Sequence, residues 1–153
     1  MNRRDVVTSL PFLAGVLSVG AAAQSAAPSC TEPELTDCRG FRFEEAPVRY
    51  SSDGAKTRQF MEGHMPGLNI VEVHETTIAP GKAPHPPHRH PNAEFFLVRE
   101  GMVEFITDNA PMKLGPGSVA YCAPNKLHGI RNVGAVDATY FVMKIGAEPV
   151  CQK

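Results

Sequence analysis

A chain of 153 residues, 42% hydrophobic and 20% charged with a formal net charge of −1, is long enough for one domain with a core of its own. So balanced a charge gives little attraction to a nucleic-acid backbone or an anionic membrane surface, which excludes both as principal partners and leaves a small-molecule ligand as the expected one.

The chain opens with a short charged head, Met1 to Asp5, followed by a modestly apolar run from Leu10 to Val19 and the small-residue sites Ala21-Ala22-Ala23 and Ser25-Ala26-Ala27. Residues 1–27 read as a secretory signal. The apolar run falls short of the ~20 residues a spanning helix needs, and no other stretch comes close, so no stable membrane span is expected after processing. The mature chain is expected outside the cytoplasm, periplasmic or extracellular. Arg3-Arg4 suits a twin-arginine signal, but general secretory signals also begin with basic residues, and both routes stay open. The twin-arginine route would suit a metalloprotein, because folding in the cytoplasm settles which ion is loaded before competing ions appear. Removing Arg3, Arg4 and Asp5 with the signal takes the net charge to −2.

Residues 28–67 form an amino-terminal arm rich in Pro and Gly, within which Phe41, Phe43, Val48 and Tyr50 alternate with polar residues as one or two edge strands would. Four cysteines in an exported domain suggest disulfides, with three pairings open. Cys30 and Cys38 are neighbours in sequence, leaving Cys122 for Cys151; alternatively Cys122 is a buried thiol acting as a small apolar residue.

From residue 68 to residue 153 the chain is a series of short runs rich in Val, Ile, Phe, Tyr and Thr. Strands are expected over Leu68 to Ile78, Glu94 to Val98, Met102 to Thr107, Ser118 to Cys122, Gly129 to Val133 and Ala138 to Ile145. Between them lie Ala79-Pro80-Gly81, Arg99-Glu100-Gly101, Asp108 to Pro111, Gly115-Pro116-Gly117 and Asn132-Val133-Gly134, each a turn former. No window of helical length carries an apolar stripe of period near 3.6, so the domain is expected to be all-β. Along Glu94 to Val98, parity puts Glu94, Phe96 and Val98 on one face and Phe95 and Leu97 on the other. Both faces are apolar, which fits a sandwich or a dimer.

The chemistry sits in Pro87-His88-Arg89-His90-Pro91-Asn92-Ala93-Glu94 and in Lys126-Leu127-His128. Residues two apart on a strand face the same way, so His88 and His90 can offer imidazoles to one point, with Glu94 adding a carboxylate after Pro91 and Asn92 interrupt the strand and His128 arriving from a distant strand. Burying three imidazoles and a carboxylate without a partner is costly, and clustered His and carboxylate at this spacing mark a metal site. Donors of nitrogen and oxygen without thiolate suit one divalent Mn, Fe, Ni, Cu or Zn ion per chain. Three further residues bear on the site. His74, with Glu72 and Thr76 on its face, either lines the cavity as a general base or faces water. His85 is a solvated loop residue or stands at the entrance to the site, and Tyr121 is a substrate donor or a packing residue.

These residues carry a resemblance to the cupin superfamily. The first cupin motif is matched by Gly81, His88-Arg89-His90, Glu94 and Gly101, with one extra residue between Gly81 and His88 in a Pro-rich loop. The second is matched by Gly117, His128 and Asn132, with Ala123-Pro124-Asn125 where Pro-x-Gly is expected; Asn125 can take the left-handed conformation that Gly would supply. The resemblance implies a double-stranded β-helix, or jelly-roll barrel, usually dimeric, with a metal inside held by His88, His90, Glu94 and His128. It also implies an open coordination position and an enzyme, first a dioxygenase and second a metal-dependent lyase or isomerase. A non-enzymatic cupin that binds or senses a small molecule is the competing class.

Overall fold

The computed structural model describes residues 35–65 and 70–146, and among them there is no helix. The strands are β1 (Val48–Tyr50), β2 (Lys56–His64), β3 (Ile70–Ile78), β4 (Ala93–Glu100), β5 (Val103–Thr107), β6 (Met112–Leu114), β7 (Val119–Cys122), β8 (His128–Asn132) and β9 (Ala138–Ile145). They build two antiparallel sheets, one ordered β1-β2-β3-β9-β4-β7 and the other β6-β5-β8. The two pack face to face as a jelly-roll barrel.

The core lies between the sheets. Phe96 and Val98 of β4 and Tyr140 and Val142 of β9 meet Val103 and Phe105 of β5 and Ile130 of β8, all buried. The Phe96 ring centroid is 5.5 Å from that of Phe105 and 6.3 Å from that of Tyr140. Each large apolar side chain so enclosed contributes roughly 1.5–3 kcal/mol relative to leaving it in water. The parity expected along β4 holds: Glu94, Phe96 and Val98 are buried, whereas Phe95 and Leu97 are 41% and 44% exposed. Cross-strand register sets Tyr121 and Met143 beside Phe95, and Val119 beside Leu97, so the outer face of the large sheet carries a continuous apolar patch. Among the described residues nothing covers it.

Two elements differ from the sequence expectation. Lys56–His64 reads as polar irregular chain, yet it forms a nine-residue strand because β1 and β3 satisfy its backbone on both sides. Met112–Leu114 is a short strand hidden between Pro111 and Gly115. In the arm, Val48 and Tyr50 enter β1, but Phe41 and Phe43 lie in loop and turn. Phe43 is held there by Arg58, whose guanidinium sits 4.0 Å from the ring centroid and whose Nη1 donates to the Phe43 carbonyl at 2.7 Å. Ring contacts among Phe43, Phe60 and Phe141 fasten the arm to the six-stranded sheet.

Two turn positions have strict requirements. Gly101, between β4 and β5, has φ 76°, and a Cβ there would stand 2.6 Å from the Asp137 carbonyl oxygen, so no other residue fits without moving the chain. Asn125 has φ 61°, the left-handed conformation expected of it. Residues 1–27, read as a signal, lie outside the described residues, as do Cys30 and Cys151. Of the other cysteines, Cys38 is exposed and Cys122 is buried, with its thiol donating to the Ala123 carbonyl at 3.5 Å.

Asn132 is the buried polar anchor of the barrel, fully inaccessible to water. Its Nδ2 donates to the carbonyls of Ile78 (2.9 Å) and Val136 (2.8 Å), and its Oδ1 accepts from the Gly134 amide at 2.8 Å. Asn132→Ala would leave two carbonyls and an amide without partners in a dry interior, and we expect it to cost about 3 kcal/mol. Urea unfolding of the two proteins checks this, and an unchanged midpoint would refute it.

Candidate metal centre

The site is assembled by a loop tied to β8 at both ends. At one end the Gly81 amide donates to the Asn132 carbonyl (3.1 Å) and the Asn132 amide to the Lys82 carbonyl (2.9 Å). At the other, the His88 amide donates to the His128 carbonyl (2.9 Å) and the His128 amide to the His88 carbonyl (3.0 Å). His88 and His90 therefore lie on an extended loop carrying a single bridge, not on a regular strand. The alternation that faces them the same way survives, because the His90 carbonyl is also held, by the Asn125 amide at 2.8 Å. The loop lies close on β8: a Cβ at position 129 would come within 3.0 to 3.2 Å of Pro87, and glycine gives that room.

The four expected residues converge. Ligand atoms of His88, His90 and His128 all lie within 4.8 Å of one another. Glu94 reaches in from the opposite sheet, with Oε1 3.2 Å from His90 Nε2 and Oε2 3.1 Å from His128 Nε2. Bonds of ~2.1 Å to one ion place neighbouring donor atoms ~3.0–3.4 Å apart, which matches these separations. His90 Nε2 and His128 Nε2 are nonetheless buried without an aligned hydrogen bond to protein, and so is Nδ1 of His88. Buried ring nitrogens left in this state are costly unless their lone pairs meet a cation. The His128 tautomer is fixed as a ligand requires: Nδ1 donates to the Lys126 carbonyl at 3.0 Å, which leaves the Nε2 lone pair facing Glu94. Burial, then the imidazoles of His85, His128 and His90, push the His88 pKa down against the opposing pull of Glu94, so His88 is held as the neutral imidazole that metals bind. The three histidines can hold a divalent metal ion.

The centre opens on one side into a cavity of about 250 Å³. His88, Glu94 and His128 line it, whereas His90 does not. Phe96, Ile130 and Val142 give it an apolar wall, and His74, Thr57 and Thr76 supply polar groups. Tyr140 also lines it; burial, partly offset by a hydrogen bond with Thr76, pushes its phenol pKa up, so it stays neutral. The volume is just below the ~300–1,000 Å³ usual for small-molecule sites, which suits a compact metabolite.

The remaining expected residues are divided. His74 lines the cavity, with Nδ1 2.9 Å from Glu72 Oε1. His85 stands at the rim, its ring edge-on to His88 at 4.4 Å. Tyr121 is not brought to the site: it alternates with buried Ala120 and Cys122, points to the outer face and packs on Phe95 at 5.0 Å. Thr57 has no signal in the sequence, because its strand carries no apolar alternation of its own, whereas an inward parity count along β9 points to Val142.

Residues 74–144 match the Cupin_2 family, described as a cupin domain. The barrel of this chain has the cupin fold. Solved structures agree on the fold. KdgF from a Halomonas species superimposes with a TM-score of 0.63 at 14% identity over 73% of this chain and 96% of that one. A predicted oxalate decarboxylase from Thermotoga maritima gives 0.61 at 14% identity over 71% and 100%. A cupin-superfamily sugar phosphate isomerase from Silicibacter pomeroyi gives 0.60 at 18% identity over 71% and 76%. No curated protein sequence matches the chain.

Glu72 provides a test of the cavity wall. Its hydrogen bond from His74, then its pairing with Lys144 (Nζ to Oε2, 2.5 Å), outweigh burial and hold its pKa down to about 2 from an ordinary 4.5. A depressed carboxylate pKa contributes stability above the unfolded-state value and loses it as pH falls through the folded one. Wild type is therefore expected to exceed Glu72→Gln in stability at neutral pH, with the gap closing between about pH 4.5 and pH 2. Thermal unfolding across that range measures it; a gap independent of pH would contradict the assignment.

Proposed function

We propose that this cupin is an exported metal-dependent enzyme acting on a small organic molecule, with one divalent ion held by His88, His90, Glu94 and His128. The observation that carries the reading is the one-sided opening of the histidine and glutamate cluster into a cavity with an apolar wall. An ion there supplies Lewis-acid or redox chemistry to a substrate oxygen. The chain's own residues do the rest: Phe96, Ile130 and Val142 exclude bulk water, and the hydroxyls of Thr57 and Thr76 offer hydrogen bonds that orient polar atoms of the substrate. Dioxygenase chemistry is the first reading of the reaction. Lyase or isomerase chemistry is the second, favoured by the imidazole of His74 on the cavity wall. A predicted oxalate decarboxylase and a sugar phosphate isomerase among the solved structures of similar fold support the breadth of small-molecule chemistry on it.

The double variant His88→Ala/His128→Ala removes two of the four donors but leaves the apolar strand pattern intact. Elemental analysis is expected to fall from about one ion per chain to none, while far-ultraviolet circular dichroism keeps its β spectrum. One tightly held ion in the double variant would refute the site.

Export and dimerisation belong to the same proposal. The patch of Phe95, Leu97, Val119, Tyr121 and Met143 suits a second copy packed on the outer sheet. Mass spectrometry of the secreted protein addresses both: the denatured chain is expected to begin after Ala23 or Ala27, and the native species to have twice its mass. A chain retaining residues 1–20, or a monomer throughout, would count against the respective half.

A further inference from the structure

We propose that His74 is the proton-transfer group of this cavity and that the substrate is a small 2-oxo acid from whose C3 carbon it removes a proton. The inference rests on the metal-dependent enzyme reading and assigns the base within it.

Alternation along β3 puts Glu72, His74 and Thr76 on the inner face, and both His74 and Thr76 line the cavity that His88, Glu94 and His128 enter. Glu72 Oε1 accepts from His74 Nδ1 at 2.9 Å, which fixes the tautomer and leaves the lone pair on Nε2. Glu72 is itself anchored from the next strand by Lys144, whose Nζ lies 2.5 Å from Oε2. Its depressed pKa keeps it a carboxylate, able to stabilise an imidazolium once His74 accepts a proton. The groups opposite this pair are Gln59 and Val142 beside His74 and Glu62 and Lys144 beside Glu72, so Lys144 is the cation that balances the carboxylate. Among the described residues only Glu72 bonds this ring, through Nδ1, so no protein group occupies Nε2. This is the arrangement of a general base oriented by a carboxylate.

The substrate class follows from charge and size. Glu94 is the single carboxylate among the lining residues, and a divalent cation outweighs it, so the cavity favours an anion. A volume of about 250 Å³ limits that anion to a few carbons. In the step proposed, the C3–H bond breaks and its proton goes to His74 Nε2. The electron pair forms the C2=C3 bond, and the carbonyl π pair moves onto the C2 oxygen to give an enolate. Return of the proton from Nε2 to C3 restores the 2-oxo acid, with no oxidant or reductant consumed.

The test uses metal-loaded full-length wild type, His74→Gln and Glu72→Gln with 2-oxobutanoate in D2O, following loss of the C3 proton signal by NMR. Wild type is expected to exchange well above the buffer rate. His74→Gln should lose at least about 100-fold, the scale of a positioned base. Glu72→Gln should lose about 10-fold and change the 15N signature of the His74 ring, which reports the loss of the Nδ1 bond that sets the tautomer. Elemental analysis is expected to find the same ion content in all three proteins. Wild type without an ion would strike at the metal-centre reading itself. With the ion present, either absent exchange in wild type or exchange in His74→Gln within twofold of wild type overturns the role of His74.

Discussion

Two backbone hydrogen bonds, from the His88 amide to the His128 carbonyl and from the His128 amide to the His88 carbonyl, are the contact on which the rest of the site depends. They join a proline-rich loop to β8 and bring together imidazoles forty residues apart in sequence. Asn132, four residues further along β8, fastens the start of the same loop through Gly81 and Lys82 and closes the barrel through its side chain. One strand thus supplies a metal donor, the anchor for two others and the buried amide that holds the end of β3. Glu94 then has only to point inward from β4, which its parity with Phe96 and Val98 ensures.

The polarity of the interior follows from this arrangement. Packing of Phe96, Phe105, Tyr140 and Ile130 excludes water from the centre, which makes unpaired ring nitrogens expensive and a cation at their meeting point correspondingly favourable. On the large sheet, in register with Glu94, Glu72 and Lys144 pair with each other, and the His74 ring that Glu72 holds through Nδ1 lines the cavity. In the proposed function the ion would give this cavity an electrophilic group and His74 would give it a base, with Phe96, Ile130 and Val142 as the apolar lining.

Much of this was legible in the sequence because the signals were local. The spacing of His88, His90 and Glu94 survives whether the segment is strand or extended loop, since both alternate, and Asn125 takes the left-handed conformation its chemistry allows. Inner and outer faces of β4 could be read from parity alone. What was not legible depends on partners far along the chain. Lys56–His64 has no apolar alternation of its own and becomes a strand through its neighbours, which is why Thr57 escaped notice as a cavity residue. Tyr121 could be assigned to the outer face only once its pairing with Phe95 fixed the register of β7. The salt bridge of Glu72 with Lys144 spans β3 and β9 and has no sequence signature.

Anomalous diffraction at the absorption edge of the bound metal, from crystals of protein purified from its native host, tests the central claim most directly. The account predicts one peak per chain, bounded by the imidazoles of His88, His90 and His128 and the carboxylate of Glu94, with at least one coordination position facing the cavity. A peak elsewhere, a sulfur ligand from Cys122, or no peak in active protein would contradict it.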